Sequence, residues 1–220
     1  MLAVELITTT IPTLQLDDTI VKALEMLRSH KATHLPVVSD EKFIGLISED
    51  DLMDGGNDKN SLQTLQDDFI SEAINDTEHF LQAVNYSNKL QSNIIPVINE
   101  EKLCLGVVTR TGLLIALGNF SGAQDIGGLI VLEMERSQYS ISEISKIVES
   151  NEATVFHLNT IFQPDTGLMV VTIHINKREL SAIVAAFERY EYQIVYYFGE
   201  EKFENEIHSN YRHLMNYLDI

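Results

Sequence analysis

The sequence has no tryptophan, four prolines and a single cysteine among its 220 residues. Cys104 therefore cannot form an internal disulfide, and its apolar neighbours predict a packing role rather than a nucleophilic one. No apolar run reaches the ~18 residues that a membrane-spanning helix needs. The first residues also lack the charged and then apolar pattern of a signal peptide. We therefore expect a cytoplasmic protein without disulfides and without a membrane segment.

Positive charge is also scarce. Fifteen Lys and Arg residues stand against 33 Asp and Glu residues, which gives a formal net charge of −18 at pH 7. Such a surface repels phosphate backbones and anionic lipids, and no basic cluster offsets it, so we expect neither nucleic acid nor membrane as a partner. The hydrophobic fraction of 45% nevertheless predicts packed cores, and the length predicts about two domains.

Familiar catalytic motifs are missing from the sequence. It contains no Walker loop, HExxH pair, nucleophile elbow or CxxC pair. We expect a protein that is not an enzyme and requires no cofactor or metal. An enzyme with an unfamiliar site is kept as the third hypothesis, because a missing motif cannot exclude one.

An internal repeat dominates the first half of the chain. Leu35-Pro36-Val37-Val38 returns sixty positions later as Ile95-Pro96-Val97-Ile98, and each copy is followed by a polar turn and a second apolar run. The two β-branched runs around each turn predict a β-hairpin. Helical periodicity precedes each hairpin, with Asp17 or Asp18 as the expected cap of the first helix and Asp76 or Thr77 of the second. A short helical segment follows each hairpin, so the predicted order is β-α-β-β-α, twice.

The repeat also carries a motif of fixed spacing. The second strand of the first hairpin ends in Gly45-Leu46-Ile47-Ser48-Glu49-Asp50-Asp51, and that of the second hairpin ends in Gly106-Val107-Val108-Thr109-Arg110-Thr111-Gly112. With its repeat spacing and its proline and glycine positions, the segment up to about residue 120 resembles a CBS pair, the adenosyl-ligand sensing module. The layout of the whole chain is similar to that of bacterial acetoin-utilisation-type proteins with CBS and ACT domains.

The resemblance implies a nucleoside site. In CBS pairs the final Asp of this motif accepts the two ribose hydroxyls, assisted by the Ser or Thr, and a carboxylate can make such a charge-assisted contact. Ser48 and Asp51 match this pattern, with Leu46 beside them, whereas Gly112 occupies the Asp position behind Thr109. We therefore expect one complete site and one degenerate site. An acidic residue early in a helix is also favoured by the helix dipole without any ligand, and this interpretation of Asp51 stays open.

Phosphate recognition has weaker support. CBS pairs usually place basic residues just before the proline-containing strands, where this chain has Thr33-His34 and Asn93-Ile94. His34 and Arg110 are the candidate cations, opposed by the acidic run of residues 49–51, which would repel a triphosphate. Adenosine, AMP or S-adenosylmethionine is therefore expected as the regulatory ligand in preference to ATP. The alternative hypothesis is an adaptor protein with an empty cleft.

The C-terminal part shows another pattern. Glycine and small polar residues predict a linker over 121–127, which separates the repeats (1–57 and 58–120) from a domain over 128–199. There the hydrophobic periodicity predicts βαββαβ, the ferredoxin-like order, with Ser140 to Glu143 as a capping box. Behind a CBS pair this domain resembles an ACT domain. The overall fold class is thus α/β and α+β.

Two further features concern ligands and assembly. His157 and His174 are expected opposite each other on one face of a hairpin, and a polar or interface role is favoured over a metal site because no third ligand is evident. Residues 200–220 carry apolar side chains at steps of three to four positions and predict an amphipathic helix. Such a surface favours a two-fold homodimer. The sequence does not identify a protein target.

Overall fold

The computed structural model describes residues 1–54 and 60–199. The chain divides into two compact units, one ending at Leu117 and one beginning at Gly118. The predicted tail helix over 200–220 lies outside the described residues. Within the described part of the chain, no helix is both long and apolar enough to cross a membrane.

The first unit contains the two repeats except the last three residues of the final helix, and the predicted order is confirmed in both. The first consists of β1 (Leu14–Gln15), α1 (Ile20–His30), β2 (His34–Ser39), β3 (Lys42–Ser48) and α2 (Glu49–Asp54). The second consists of β4 (Ile74–Asn75), α3 (Leu81–Leu90), β5 (Ile94–Ile98), β6 (Cys104–Thr109) and α4 (Arg110–Phe120). In both sheets the first strand is parallel to the second, and the hairpin is antiparallel.

The helix starts differ from the predicted caps. The N-cap of α1 is Thr19, whose side chain accepts from the Lys22 amide, while Asp18 accepts from the Gln15 amide at 2.9 Å. Helix α3 begins only at Leu81, and its N-cap Phe80 makes no capping bond with its side chain. The expected aspartate caps were therefore wrong, because Asp18 is used in the turn before the helix.

Each repeat receives a segment from the other half of the unit. A 3-10 helix over Leu62–Asp68 buries Leu62 and Leu65 in the core of the first repeat. A 3-10 helix over Ala3–Leu6 places Ala3 in the core of the second. The repeat units in space are therefore not continuous stretches of the sequence.

The motif glycines make this exchange of segments feasible. A Cβ atom on Gly45 would lie 2.6 Å from Cβ of Phe69, and one on Gly106 would lie 2.7 Å from Cγ2 of Ile7. The incoming backbone bonds to the neighbouring residues, since the Leu46 amide donates to the Ile70 carbonyl at 2.8 Å and the Thr8 amide to the Val107 carbonyl at 2.8 Å. Only glycine permits so close an approach at these two equivalent positions.

The second unit has the predicted ferredoxin-like order. It comprises β7 (Gly128–Glu135), α5 (Ile141–Ser150), β8 (Val155–Phe162), β9 (Leu168–Ile175), α6 (Ser181–Arg189) and β10 (Gln193–Phe198), and a short 3-10 helix (Arg136–Gln138) follows β7. The strands form an antiparallel sheet in the order β10-β7-β9-β8. Apolar side chains of α5 and α6 share the core with one face of this sheet.

The α5 cap and the histidine pair test two sequence predictions here. Ser140 accepts from the Glu143 amide as expected, but the Glu143 carboxylate accepts from the Tyr192 hydroxyl at 2.6 Å instead of completing a capping box. His157 and His174 are register partners on neighbouring strands, as predicted.

Residues 118–127, of which 121–127 were expected to be a linker, belong to the second unit and contact its sheet.

Candidate functional site

The junction of β3 and α2 holds Ser48 and Asp51, the two residues of the complete motif. Ser48 ends the strand and caps the helix, and the Asp51 amide donates to its Oγ at 3.1 Å. In return Oδ2 of Asp51 accepts from the Ser48 amide at 3.2 Å and from the Ser48 hydroxyl. Ser48 and Asp51 therefore form a reciprocal capping contact at the start of α2, a role of Asp51 that needs no ligand.

The same contacts fix the orientation of the carboxylate. All three bonds between the two residues use Ser48 Oγ or Asp51 Oδ2, and no bond within the described residues uses Oδ1 of Asp51. Both residues are half-buried. One carboxylate oxygen is thus held in place by Ser48.

The second repeat reproduces the geometry without the carboxylate. Thr109 ends β6, and its Oγ1 accepts from the Gly112 amide at 3.1 Å, as Ser48 does from Asp51. A Cβ atom at Gly112 would have a single neighbour within 4 Å, Oγ1 of Thr109 at 3.3 Å. The second repeat therefore lacks the carboxylate because residue 112 is a glycine, although the backbone there leaves room for a side chain.

Thr33 and Asn93, which stand where CBS pairs usually have basic residues, bind each other. The amide and hydroxyl of Thr33 donate to Oδ1 of Asn93 at 2.9 and 3.1 Å, and the Asn93 amide donates to the Thr33 hydroxyl at 3.0 Å. The Asn93 side chain also donates to the Lys31 carbonyl at 2.7 Å. These residues are equivalent in the two repeats, so the contact joins the repeats at their symmetric positions.

His34 is buried, with 7% of its surface exposed. Its register partner is Ser48, and its Nδ1 lies 3.0 Å from the Thr33 hydroxyl. Burial lowers the pKa of His34 from its ordinary value of 6.5, and the negative charges of Asp51 and Asp50 oppose this shift only in part. The neutral imidazole is therefore favoured at pH 7, which removes one of the two expected cations.

The other expected cation, Arg110, is used within its own repeat. Its guanidinium donates to the Ser92 carbonyl at 3.1 Å, and its amide donates to the Asn93 carbonyl at 2.8 Å.

Leu46 is fully buried, and its backbone groups pair with those of Ile70. In this structure Leu46 therefore contributes to the core beneath Ser48 and not to an exposed lining.

The thiol of Cys104 agrees with the packing role expected from the sequence. It is half-buried against the core of the first repeat, and burial raises the pKa of Cys104. A raised thiol pKa disfavours the thiolate, which is the nucleophilic form. Within the described residues, no group of three or more His, Cys, Asp or Glu side chains is arranged to hold a metal ion.

The first repeat matches a known domain family. Residues 3–56 match the family model of the CBS domain. This segment contains the Gly45 to Asp51 motif, and the second repeat has the same strand pairing around its own hairpin. Residues 3–56 are thus similar to a CBS domain, and the second repeat has the same β-α-β-β-α order.

Several solved structures are similar to part of this chain. A CBS domain pair/ACT domain protein from Thermotoga maritima is 20% identical, with 55% of this chain and 98% of that chain covered, at a TM-score of 0.49. A Vibrio cholerae protein assigned to acetoin utilization is 17% identical, with 56% and 95% covered, at a TM-score of 0.46. CBSX2, solved in complex with AMP, is 18% identical, with 54% and 97% covered, at a TM-score of 0.46.

Proposed function

We propose that this protein is a regulatory CBS-pair protein that senses an adenosyl ligand in the cleft between its repeats, with Ser48 and Asp51 recognising the ribose. The observation that carries the proposal is the Asp51 carboxylate, whose Oδ2 is held by Ser48 while Oδ1 accepts no bond from the described residues. A fixed acceptor loses little freedom when a ribose hydroxyl donates to it. The protein itself performs no chemistry in this proposal.

The charges around Ser48 favour adenosine or AMP over ATP. Glu49, Asp50 and Asp51 form the first turn of α2, and a neutral His34 does not offset them. A triphosphate would face this acidic turn, with the Arg110 guanidinium already bound to a backbone carbonyl. S-adenosylmethionine fits the same turn, because its sulfonium is positive.

The binding experiment compares Asp51→Asn with Asp50→Asn. Both variants lose one negative charge from the same helical turn, but Asp50 is exposed and outside the Ser48 contacts. A hydrogen bond to a charged group contributes about 1.5–3 kcal/mol, so we expect Asp51→Asn to weaken adenosine or AMP binding by roughly tenfold or more. Asp50→Asn should bind within about threefold of the wild type by the same scale.

Calorimetry with adenosine, AMP, ATP and S-adenosylmethionine measures these affinities, and thermal unfolding shows that each variant is folded. Asparagine keeps an oxygen that can accept from Ser48, which separates the loss of charge from the loss of the helix cap. Equal affinities for the two variants would remove Asp51 from the site.

The alternative function is that of an adaptor whose cleft is empty. Two observations favour it: Thr33 and Asn93 satisfy each other, and Gly112 leaves the second motif without a carboxylate. A wild-type chain whose unfolding temperature shifts with none of the four ligands would support this function, because a ligand at 100 times its Kd stabilises the native state by about 2.7 kcal/mol.

Signalling is proposed to pass through dimerisation or the binding of a protein target. The ferredoxin-like topology of residues 128–199 supports assignment as an ACT-like domain, a type of module that commonly dimerises. This proposal includes a homodimer that acts in the cytoplasm. Size measurement by light scattering, with and without AMP, tests whether ligand and assembly are coupled.

A further inference from the structure

The second unit contains a cavity that the nucleotide proposal does not use. Its volume is about 470 Å³, within the range of small-molecule sites. The sheet contributes Leu129, His157, Thr172, His174 and Phe198, and the covering segment includes Asp125. The cavity lies on the sheet face opposite the core, since Ile130, Leu158 and Ile173 fill the other face.

His174 is the most informative residue of the cavity. It is 9% exposed, and no hydrogen bond within residues 1–54 and 60–199 uses its ring nitrogens. Among the residues that the structure describes, no side-chain nitrogen or oxygen is both sealed from solvent and without a partner, so the accessible part of this imidazole faces the cavity. A ligand that enters the cavity can therefore accept the hydrogen of this imidazole.

His157 lies beside His174 as its register partner on the neighbouring strand. Aromatic contacts orient both rings. Phe156 meets His174 edge-on with centroids 5.6 Å apart, and Phe120 meets His157 with centroids 6.0 Å apart. The two imidazoles therefore lie on one face of the sheet, which they share with Thr172, and together they can donate to an acceptor with two oxygens.

Close packing of the covering segment forms the opposite wall. A Cβ atom on Gly127 would lie 1.9 Å from the Ile175 carbonyl oxygen and 3.0 Å from Nε2 of His174. A Cβ atom on Gly122, which has φ +64, would lie 2.7 Å from Oδ2 of Asp125. Glycine at both positions allows this segment to pack closely against the sheet beside His174, so the shape of the cavity depends on these two glycines.

We infer that this cavity binds a small monocarboxylic acid, whose carboxylate lies between His157 and His174 and whose apolar body packs on Leu129 and Phe198. The imidazole pair and Thr172 supply donors for one carboxylate. A second carboxylate would have to lie against the apolar side chains of Leu129 and Phe198 and lose its hydration, so the site selects against dicarboxylates. The site is independent of the Ser48 and Asp51 site, and its test does not depend on nucleotide binding.

Hexanoate is the probe for the full-length chain in the presence of a chelator, with hexanamide and adipate as matched controls. We expect saturable hexanoate binding and at least roughly tenfold weaker binding of both controls, because one lacks the charge and the other carries two. In imidazole nitrogen NMR spectra, the resonances of His157 and His174 should shift on binding, and those of His30 in α1 should not. Equal binding of hexanoate and hexanamide would overturn the inference.

Two variants test the location of the site. His174→Phe keeps a ring but removes the donors, and Leu129→Trp fills the cavity from a side chain that is 36% exposed. Each should reduce hexanoate affinity at least tenfold while His30→Phe leaves it unchanged. If His174→Phe fails to fold, Leu129→Trp and the NMR shifts decide. Hexanoate binding retained in folded Leu129→Trp, or unshifted His174 resonances at saturation, would overturn the assignment.

Discussion

His34 is a buried side chain beside Ser48 that distinguishes the first repeat from the second. It occupies the position that Ile94 holds in the second repeat, where Thr109 replaces Ser48 as the register partner. Both side chains are buried, but only the histidine can take up a proton. The first repeat therefore carries a titratable group where the second has a hydrocarbon.

This difference predicts a pH dependence of stability that belongs to His34. Burial lowers its pKa in the folded state below 6.5, so at mildly acidic pH the unfolded chain binds more protons than the folded chain. The contribution of His34 to stability is thus complete above pH 6.5 and is lost as the pH falls below that value. Replacing it with the residue of the second repeat, His34→Ile, should reduce the loss.

Thermal unfolding of the wild type and His34→Ile at pH 8 and pH 5.5 measures this effect. At pH 8 the histidine is neutral in both states, so any difference there reflects packing alone. The drop in unfolding temperature between the two pH values should be smaller for His34→Ile. An identical drop in both proteins would show that His34 does not take up a proton on unfolding in this range.

At the scale of elements, the two repeats differ at the start of the helix that closes each of them. Helices α2 and α4 both begin after a hydroxyl residue that caps them, and they differ at the third helical position, Asp51 or Gly112. Glycine is a poor helix residue, and a carboxylate in the first turn interacts favourably with the helix dipole. The second repeat therefore lacks both a stabilising contact and an acceptor.

Gly112→Asp should give the second repeat both the stabilising contact and the hydrogen-bond acceptor that it lacks. The only close contact of the new Cβ atom is Thr109 Oγ1 at 3.3 Å, which a small movement relieves. We expect a gain of about 1 kcal/mol in the free energy of unfolding from helix propensity and charge. We also expect a second binding event for adenosine or AMP in calorimetry.

Gly112→Asn is the matched control, because it adds a side chain of the same size without the charge. It should recover part of the stability and bind the second ligand more weakly than Gly112→Asp. A stabilised Gly112→Asp that still binds a single ligand would mean that other residues of the second cleft, such as Ile94, also prevent binding.

At the scale of the whole molecule, exposed apolar side chains point to association. Leu114 and Ile115 in α4 are 70% and 60% exposed, and Phe198 in the edge strand β10 is 61% exposed. Residues 200–220 continue directly from that strand and add apolar positions at helical spacing. A two-fold interface could cover such patches on both copies, while a net charge of −18 limits unspecific aggregation.

We therefore expect the full-length chain to be a homodimer at tens of micromolar. A chain cut after Gly199 should dimerise more weakly or become less soluble, because it loses the apolar positions of the tail. Analytical ultracentrifugation or light scattering of both chains gives the masses. A monomeric full-length chain under these conditions would contradict the prediction, and the tail would then have to pack on its own unit.

The sequence alone determined the parts of the fold that rest on local patterns. The repeated proline strands, the Gly45 and Gly106 motifs and the period of the helices predicted both β-α-β-β-α units, and alternation and turn residues predicted βαββαβ. The motif also pointed to Ser48 and Asp51, which the structure brings into direct contact. These features were accessible because each depends on residues close together in the chain.

Only the tertiary structure decided the features that depend on distant residues. The segments of Ala3 and Leu62 pack in the opposite repeat, and Thr33 and Asn93 bind each other across sixty positions. The charge state of His34 depends on burial by its neighbours, and the cavity at His174 depends on the close approach of Gly127 to β9. No local period encodes such contacts, because they form only when separate elements pack and exclude water.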